Sequence, residues 1–263
     1  MQLRKYRIRL GKIHHIFISH LHGDHTYGLF GLISSFSLLG RGEPLHIYGP
    51  PRLEEMILDH LKFFQNDLGY ELVFHRIQNR RSALLYEDKN IKVHSLPMIH
   101  RVPATGFFFR EKEKERTILK EKIDTYNIPV RNIPAIKRGE DFQLPEGKII
   151  PNSDLTLPPP RPVSYAYCSD TSPNDQNIPL IKEVDLLYHE ATFLHKDAKL
   201  ANATTHSTSK QAAEFAAKVG AGRLLIGHFS SRYKRMSDFE SEAREVFTKT
   251  IAVNDGDVFE VNN

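Results

Sequence analysis

The chain has 263 residues, a net charge of +4 with histidine neutral, 40% hydrophobic and 26% charged residues, a composition that can bury the core of one domain over 1–263, with or without an inserted arm. No apolar run approaches the ~18 residues of a membrane span, so no membrane partner is expected, and the small positive charge tolerates an anionic partner without demanding one. A single cysteine, Cys168, excludes an internal disulfide and makes a reducing, cytoplasmic location the expectation.

In chain order, basic residues at Arg4, Lys5, Arg7 and Arg9 are followed by no apolar signal-peptide run. Residues 13–19 read as a strand. The loop after it reads His20-Leu21-His22-Gly23-Asp24-His25, three imidazoles and a carboxylate in six residues. These are ligand types that suit zinc and similar divalent ions. A regular helix or strand cannot aim all four at one ion, whereas a loop leaving a strand can serve two adjacent ions.

Residues 26–39 are helix-like, with Gly40 as a stop. Residues 45–48 form a short strand ending at Gly49-Pro50-Pro51. Leu53, Met56, Ile57, His60, Leu61 and Phe64 give residues 52–66 a helical spacing. Strands are expected at 71–77, 91–96 and 105–110. Residues 111–162 change character, with mixed charge followed by Pro129, Pro134, Pro145, Pro151 and Pro158-Pro159-Pro160-Arg161-Pro162. Such a stretch is poorly suited to core packing and reads as a projecting arm or a long loop.

Beyond it, a strand over 163–168 ends in Ser169-Asp170-Thr171, and one over 184–188 ends in His189-Glu190. Residues 207–219 form a helix opened by a Ser/Thr cap. A strand over 223–226 ends in Gly227-His228. Residues 239–248 look helical, and 258–261 would close a sheet.

The candidate ligands follow the ends of apolar strands: His20, His22, Asp24 and His25, then His100, Asp170 and His228. Loops on a rigid sheet are where sites are usually built. Two ions about 3.5–4 Å apart acidify a shared water and clamp an in-line displacement, which suits phosphodiester hydrolysis. A carboxylate such as Asp170 has an oxygen for each ion. Neither a Walker loop nor a G-x-S-x-G elbow is present to compete. His206 precedes a helix and could donate a proton beside such a centre, oriented by Glu190. On spacing alone, a histidine decorating a helix start, with Glu190 paired to a surface lysine, remains open. His14, His15, His46, His60, His75, His94 and His195 lack ligand spacing and read as surface or packing residues. His189 shares a strand end with Glu190 and reads as a hydrogen-bonding neighbour of the site.

H-x-H-x-D-H at His20–His25 resembles the metallo-β-lactamase superfamily, and further motifs narrow the resemblance to ribonuclease Z, the tRNA 3′-end processing endonucleases. Leu96-Pro97-Met98-Ile99-His100-Arg101-Val102-Pro103-Ala104-Thr105-Gly106-Phe107 is similar to that family's third-ligand motif, and Tyr167-Cys168-Ser169-Asp170-Thr171 to its bridging-aspartate motif. His189-Glu190-Ala191-Thr192-Phe193 resembles the HEAT motif of bacterial members. Thr205-His206-Ser207-Thr208 and Gly227-His228-Phe229-Ser230-Ser231-Arg232-Tyr233 resemble the last two motifs.

The resemblance implies an α/β, αββα sandwich holding two zinc ions per subunit. It would place His20, His22 and His100 on one zinc, Asp24, His25 and His228 on the other, and Asp170 between them. His206, supported by Glu190, would assist proton transfer, with Asp24 also counted at the catalytic centre. The implied reaction removes the 3′ trailer from precursor tRNA and leaves a 3′-hydroxyl. The implied assembly is a homodimer with an arm, here 111–162, that grips tRNA.

The arm departs from the family pattern. It reads Asn127-Ile128-Pro129-Val130-Arg131-Asn132-Ile133-Pro134 without a Gly-Pro signature, although Lys120, Lys122, Arg131, Lys137 and Arg138 suit phosphates. This leaves open a superfamily hydrolase acting on a small phosphodiester or ester. In addition, His20 lies only nineteen residues from Met1, where family members carry further strands. The sandwich is therefore expected to be shortened at its amino end, through a start chosen too far downstream or a naturally shortened relative. An inactive RNA-binding remnant is the reading that follows from that loss.

Overall fold

The computed structural model describes residues 2–64, 67–78 and 80–261. Three parallel strands, β1 (His15–Phe17), β2 (Leu45–Gly49) and β3 (Leu72–Arg76), pair in that order. The helices Gly23–Leu38 and Arg52–Phe63 are the two crossovers. Alternation along β2 explains the layering. Leu45 and Ile47 pack with Leu29, Ile33 and Phe36 of the first helix and with Leu53 and Ile57 of the second. Tyr48 packs on the opposite face, against Ile77, Val93 and Phe107. Ile57 and Leu45 are fully buried, so truncating either to alanine would cost about 2–5 kcal/mol.

The second sheet begins with the antiparallel strands β4 (Leu84–Glu87), β5 (Ile91–Pro97) and β6 (Thr105–Glu111). Its neighbours on the other side of an excursion are β11 (Ser164–Cys168), β12 (Leu186–Glu190), β13 (Arg223–Gly227) and β14 (Thr250–Ala252). The excursion carries β7 (Thr117–Ile118) paired with β10 (Thr156–Leu157), and β8 (Phe142–Gln143) paired with β9 (Ile149–Ile150). The order of the seven-stranded sheet is β14-β13-β12-β11-β6-β5-β4. Ala166, Cys168, Leu187, Leu224 and Ile226 bury its outer face against the helices Ser209–Val219 and Ser237–Arg244. The layers thus run helix, sheet, sheet, helix.

The helix Ser209–Val219 is fixed at both ends. Thr208 Oγ1 accepts from the Gln211 backbone at 3.2 Å while Gln211 Oε1 accepts from the Thr208 backbone at 2.9 Å, and Gly220 closes the helix at φ 68°.

Several expectations need correction. The first helix starts at Gly23, so Asp24 and His25 lie in its first turn and not on a loop. The strand expected at 184–188 runs over Leu186–Glu190, which places His189 and Glu190 inside it. No strand forms at 258–261; the sheet closes with β14, whose neighbour Lys249 accepts from the Leu224 backbone at 2.9 Å. The second helix ends at Phe63, and Gln65 and Asn66 of the expected 52–66 span lie outside the described residues. The excursion is not devoid of core: Ile128, Ile136, Phe142, Ile150 and Leu155 bury one another there, joined by Ile118, Ile123 and Ile133.

Candidate metal centre

The carboxyl ends of β1, β5, β11, β12 and β13 lie along one edge of the sandwich, and their following residues converge there. His20 is fully buried, and its Nε2 lies 3.0 Å from His22 Nδ1. His100 Nε2 lies 3.4 Å from the same His22 atom. Two nitrogens on one tetrahedral zinc stand about 3.3 Å apart, given Zn–N near 2.0–2.1 Å, so this spacing is that of shared ligation. His20, His22, His100 and Asp170 offer donor atoms all within 4.8 Å of one another. Asp24, His25 and His228 form a second such set.

Asp170 joins the two sets. Its Oδ2 lies 3.7 Å from His20 Nε2 and 4.0 Å from His100 Nε2. Its Oδ1 lies 3.5 Å from both His25 Nε2 and His228 Nε2. Asp24 Oδ2 completes the second set at 3.4 Å from His25 and 3.9 Å from His228. At the head of its helix, the Asp24 charge is also favoured by the backbone dipoles.

The donor chemistry fits metal. Burial, reinforced by the His25, His22 and His100 rings, pushes the His20 pKa down to about 3. Burial likewise lowers His25 against the opposing charges of Asp170 and Asp24, and His100 against Thr205 and Asp170. Neutral imidazoles keep the lone pair that a cation requires. The opposite ring nitrogens are held in place. Ser19 Oγ lies 3.1 Å from His20 Nδ1 and 3.4 Å from His25 Nδ1. The Thr205 carbonyl lies 3.2 Å from His100 Nδ1, and Thr192 Oγ1 lies 2.8 Å from His228 Nδ1. Such partners orient ligand rings and fix their tautomers. Thr205 and His228 adopt left-handed backbone, at φ 57° and 63°, a strained conformation that clusters at functional sites.

His206 stands beside both sets, with its ring centroid 5.0 Å from that of His100 and 5.5 Å from that of His228. With Asp170 and His228 it forms a third close group of donor atoms. Its Nδ1 lies 2.7 Å from Glu190 Oε1. Glu190 is completely buried and also accepts from the backbone of Thr171 at 3.1 Å and of Thr192 at 2.9 Å, and from Thr192 Oγ1 at 2.8 Å. Burial works to lower the His206 pKa, but the hydrogen bond and charge of Glu190, with Asp170 behind, outweigh it and hold the pKa above its ordinary value. An imidazolium held this way suits a proton donor better than a ligand.

Residues 1–119 match the family model described as a beta-lactamase superfamily domain. The chain is 48% identical to ribonuclease Z of Porphyromonas gingivalis over 254 residues, covering 97% of this chain and 84% of that relative. It is 41% identical to ribonuclease Z of Cytophaga hutchinsonii over 242 residues, covering 92% and 77% respectively. The chain belongs to the ribonuclease Z family. Among solved structures it is similar to human tRNase Z, short form, with a TM-score of 0.69 at 25% identity over 99% of this chain and 84% of that one. Its fold is the metallo-β-lactamase fold, shared at a TM-score of 0.59 and 18% identity with the protein YhfI from Bacillus subtilis.

Within this ribonuclease Z frame, the structure brings all nine residues singled out in the sequence to one edge: His20, His22, Asp24, His25, His100, Asp170, His228, His206 and Glu190. It separates His189 from them. Strand alternation turns that residue to the outer face, where it bonds the Glu190 carbonyl at 2.7 Å and meets Phe215. His15, His46 and His75 stack among themselves and with Tyr48 on the first sheet, away from the centre. Sequence reasoning assigned no role to Ser19, Thr192 or Thr205. Thr192 lies inside the HEAT motif, which is the signal that could have marked it; isolated hydroxyls have no spacing rule.

Proposed function

We infer that the chain is a zinc-dependent endoribonuclease that removes the 3′ trailer from precursor tRNA. The observation that carries this reading is Asp170, with one oxygen toward each of two histidine groups. His20, His22 and His100 would hold one zinc, Asp24, His25 and His228 the other, and Asp170 both. A zinc pair supplies Lewis acidity and a water acidified toward neutral pH. The remaining work belongs to the chain. The seven donors fix the edge at which the phosphodiester lies. Protonated His206 delivers its proton to the departing 3′-oxygen of the tRNA, and Glu190 holds that imidazole in place and charged. Arg101, next to His100 in the chain, and Arg232, four residues after His228, are exposed and would meet flanking phosphates.

The excursion over 111–162 is the tRNA-gripping arm in this reading. Lys120, Lys122 and Arg131 support it, since they form no ion pair among the described residues, whereas Lys137 and Arg138 already pair with Glu115 and Glu140. A homodimer is supported by the exposed Leu58, Phe63 and Phe64 around the second helix, a patch that water disfavours. A cytoplasmic setting is where precursor tRNA would be met.

Purified, zinc-loaded protein should cut a trailer-bearing precursor tRNA at the mature 3′ end, and a chelator should stop it. A folded, metal-replete protein that leaves this RNA intact would overturn the reading.

A further inference from the structure

Tyr27 has no part in the chemistry described so far. It lies one helical turn beyond Gly23, and its ring covers the Gly23 backbone: a Cβ on Gly23 would sit 2.4 Å from the ring edge. Gly23 separates the donors His22 and Asp24, so the ring stands at the rim of the metal centre. The side chain is nonetheless 75% exposed. It makes no side-chain hydrogen bond among the described residues, so nothing in the fold explains a large aromatic group in water here.

The other strongly exposed aromatic residues, Phe63 and Phe64, lie at the far, carboxyl end of the second helix. Past Tyr27, the helix itself is also without charged side chains. After His25, the helix carries no Asp, Glu, Lys, Arg or His through Leu38, and Gly28 and Gly31 are exposed with open space above them. A phosphate lying on this stretch would meet no cationic side chain of the helix. A flat, neutral ring system would find a flat partner and room to lie on it.

We propose that the Tyr27 ring stacks on a nucleobase flanking the scissile phosphate, setting the register in which RNA enters the centre. The inference rests on the endonuclease reading and adds a substrate contact to it. Stacking on an aromatic ring tolerates any base, which suits a cut site whose neighbours vary in sequence.

The test uses the zinc-loaded full chain, Tyr27→Ala and Tyr27→Phe, and precursor tRNA that is intact or carries an abasic ribose on either side of the cut. On intact RNA, Tyr27→Ala should lose about ten-fold in kcat/KM, chiefly through KM, the scale of one stacked base, while Tyr27→Phe stays within about two-fold. On one of the two abasic substrates the wild type should fall about ten-fold and Tyr27→Ala no further, because the partner ring is already gone. Equal losses for Tyr27→Ala on intact and abasic RNA, or none on intact RNA, would overturn the stacking role while leaving the endonuclease reading intact. Failure of the wild type to cut intact RNA would overturn both.

Discussion

Replacing Glu190 by glutamine keeps the shape of a fully buried side chain while removing its charge. The carboxylate accepts four hydrogen bonds, from His206, from the backbones of Thr171 and Thr192, and from the Thr192 hydroxyl. An amide can accept on only one of its two ends, so one donor at the site would face another donor. A hydrogen bond to a charged group contributes about 1.5–3 kcal/mol. Losing it should lower the His206 pKa. Burial, which already works to lower this pKa, would then face Asp170 alone. In the proposed reaction His206 acts protonated, so activity should be present below its folded pKa and lost as pH rises through it. In Glu190→Gln the alkaline fall should therefore begin at lower pH, with single-turnover cleavage reduced roughly ten- to hundred-fold on the alkaline side and partly restored as the pH is lowered. The assay is a pH–rate profile of precursor tRNA cleavage by zinc-saturated protein, with a melting curve at each pH. A rate lowered by the same factor at every pH, with the alkaline fall unmoved, would refute the assignment of Glu190 as the group that keeps His206 charged.

Asp170→Ala should remove the shared carboxylate, lower bound zinc from two ions toward one by elemental analysis, and reduce cleavage by at least about a thousand-fold. Thr192→Val keeps volume but strips the hydroxyl from His228 and Glu190, so zinc affinity should fall about 10–100-fold in chelator competition. Neutralising Lys120, Lys122 and Arg131 together should raise KM for precursor tRNA and flatten its salt dependence by up to about three in the log–log slope, with no change on a small chromogenic phosphodiester. Phe63→Asp should leave a monomer by sedimentation if the outer helical patch joins two copies.

The strands were legible because apolar runs bounded by Gly, Pro and polar residues survive in the folded chain, and the donors were legible because they follow those runs. Helix starts were not. Gly23 is a poor helix former and His22 makes no side-chain cap bond, so nothing in the sequence announces that Asp24 and His25 already lie in a helical turn. At β12, the Val184 backbone closes a turn on Ile181 before pairing begins, which moves the strand two residues along and keeps its faces unchanged. The excursion was misjudged because a count of prolines averages over Ile118, Ile123, Ile128, Ile133, Ile136 and Ile150, which meet only once the chain folds back. The hydroxyls of Ser19, Thr192 and Thr205 became meaningful only when their distances to imidazole nitrogens were visible.

The donors reach the centre from both layers. His20, His22, Asp24 and His25 come from the first sheet and its helix, and His100, Asp170 and His228 from the second. Neither layer alone holds either ligand set, and the outermost donors, His20 and His228, stand about two hundred residues apart in the sequence. A cation would therefore be captured only after both layers have docked. Its capture would follow the slow closure of long loops, and would then add a tie between two slabs already packed through Phe17, Tyr48, Val93 and Phe107.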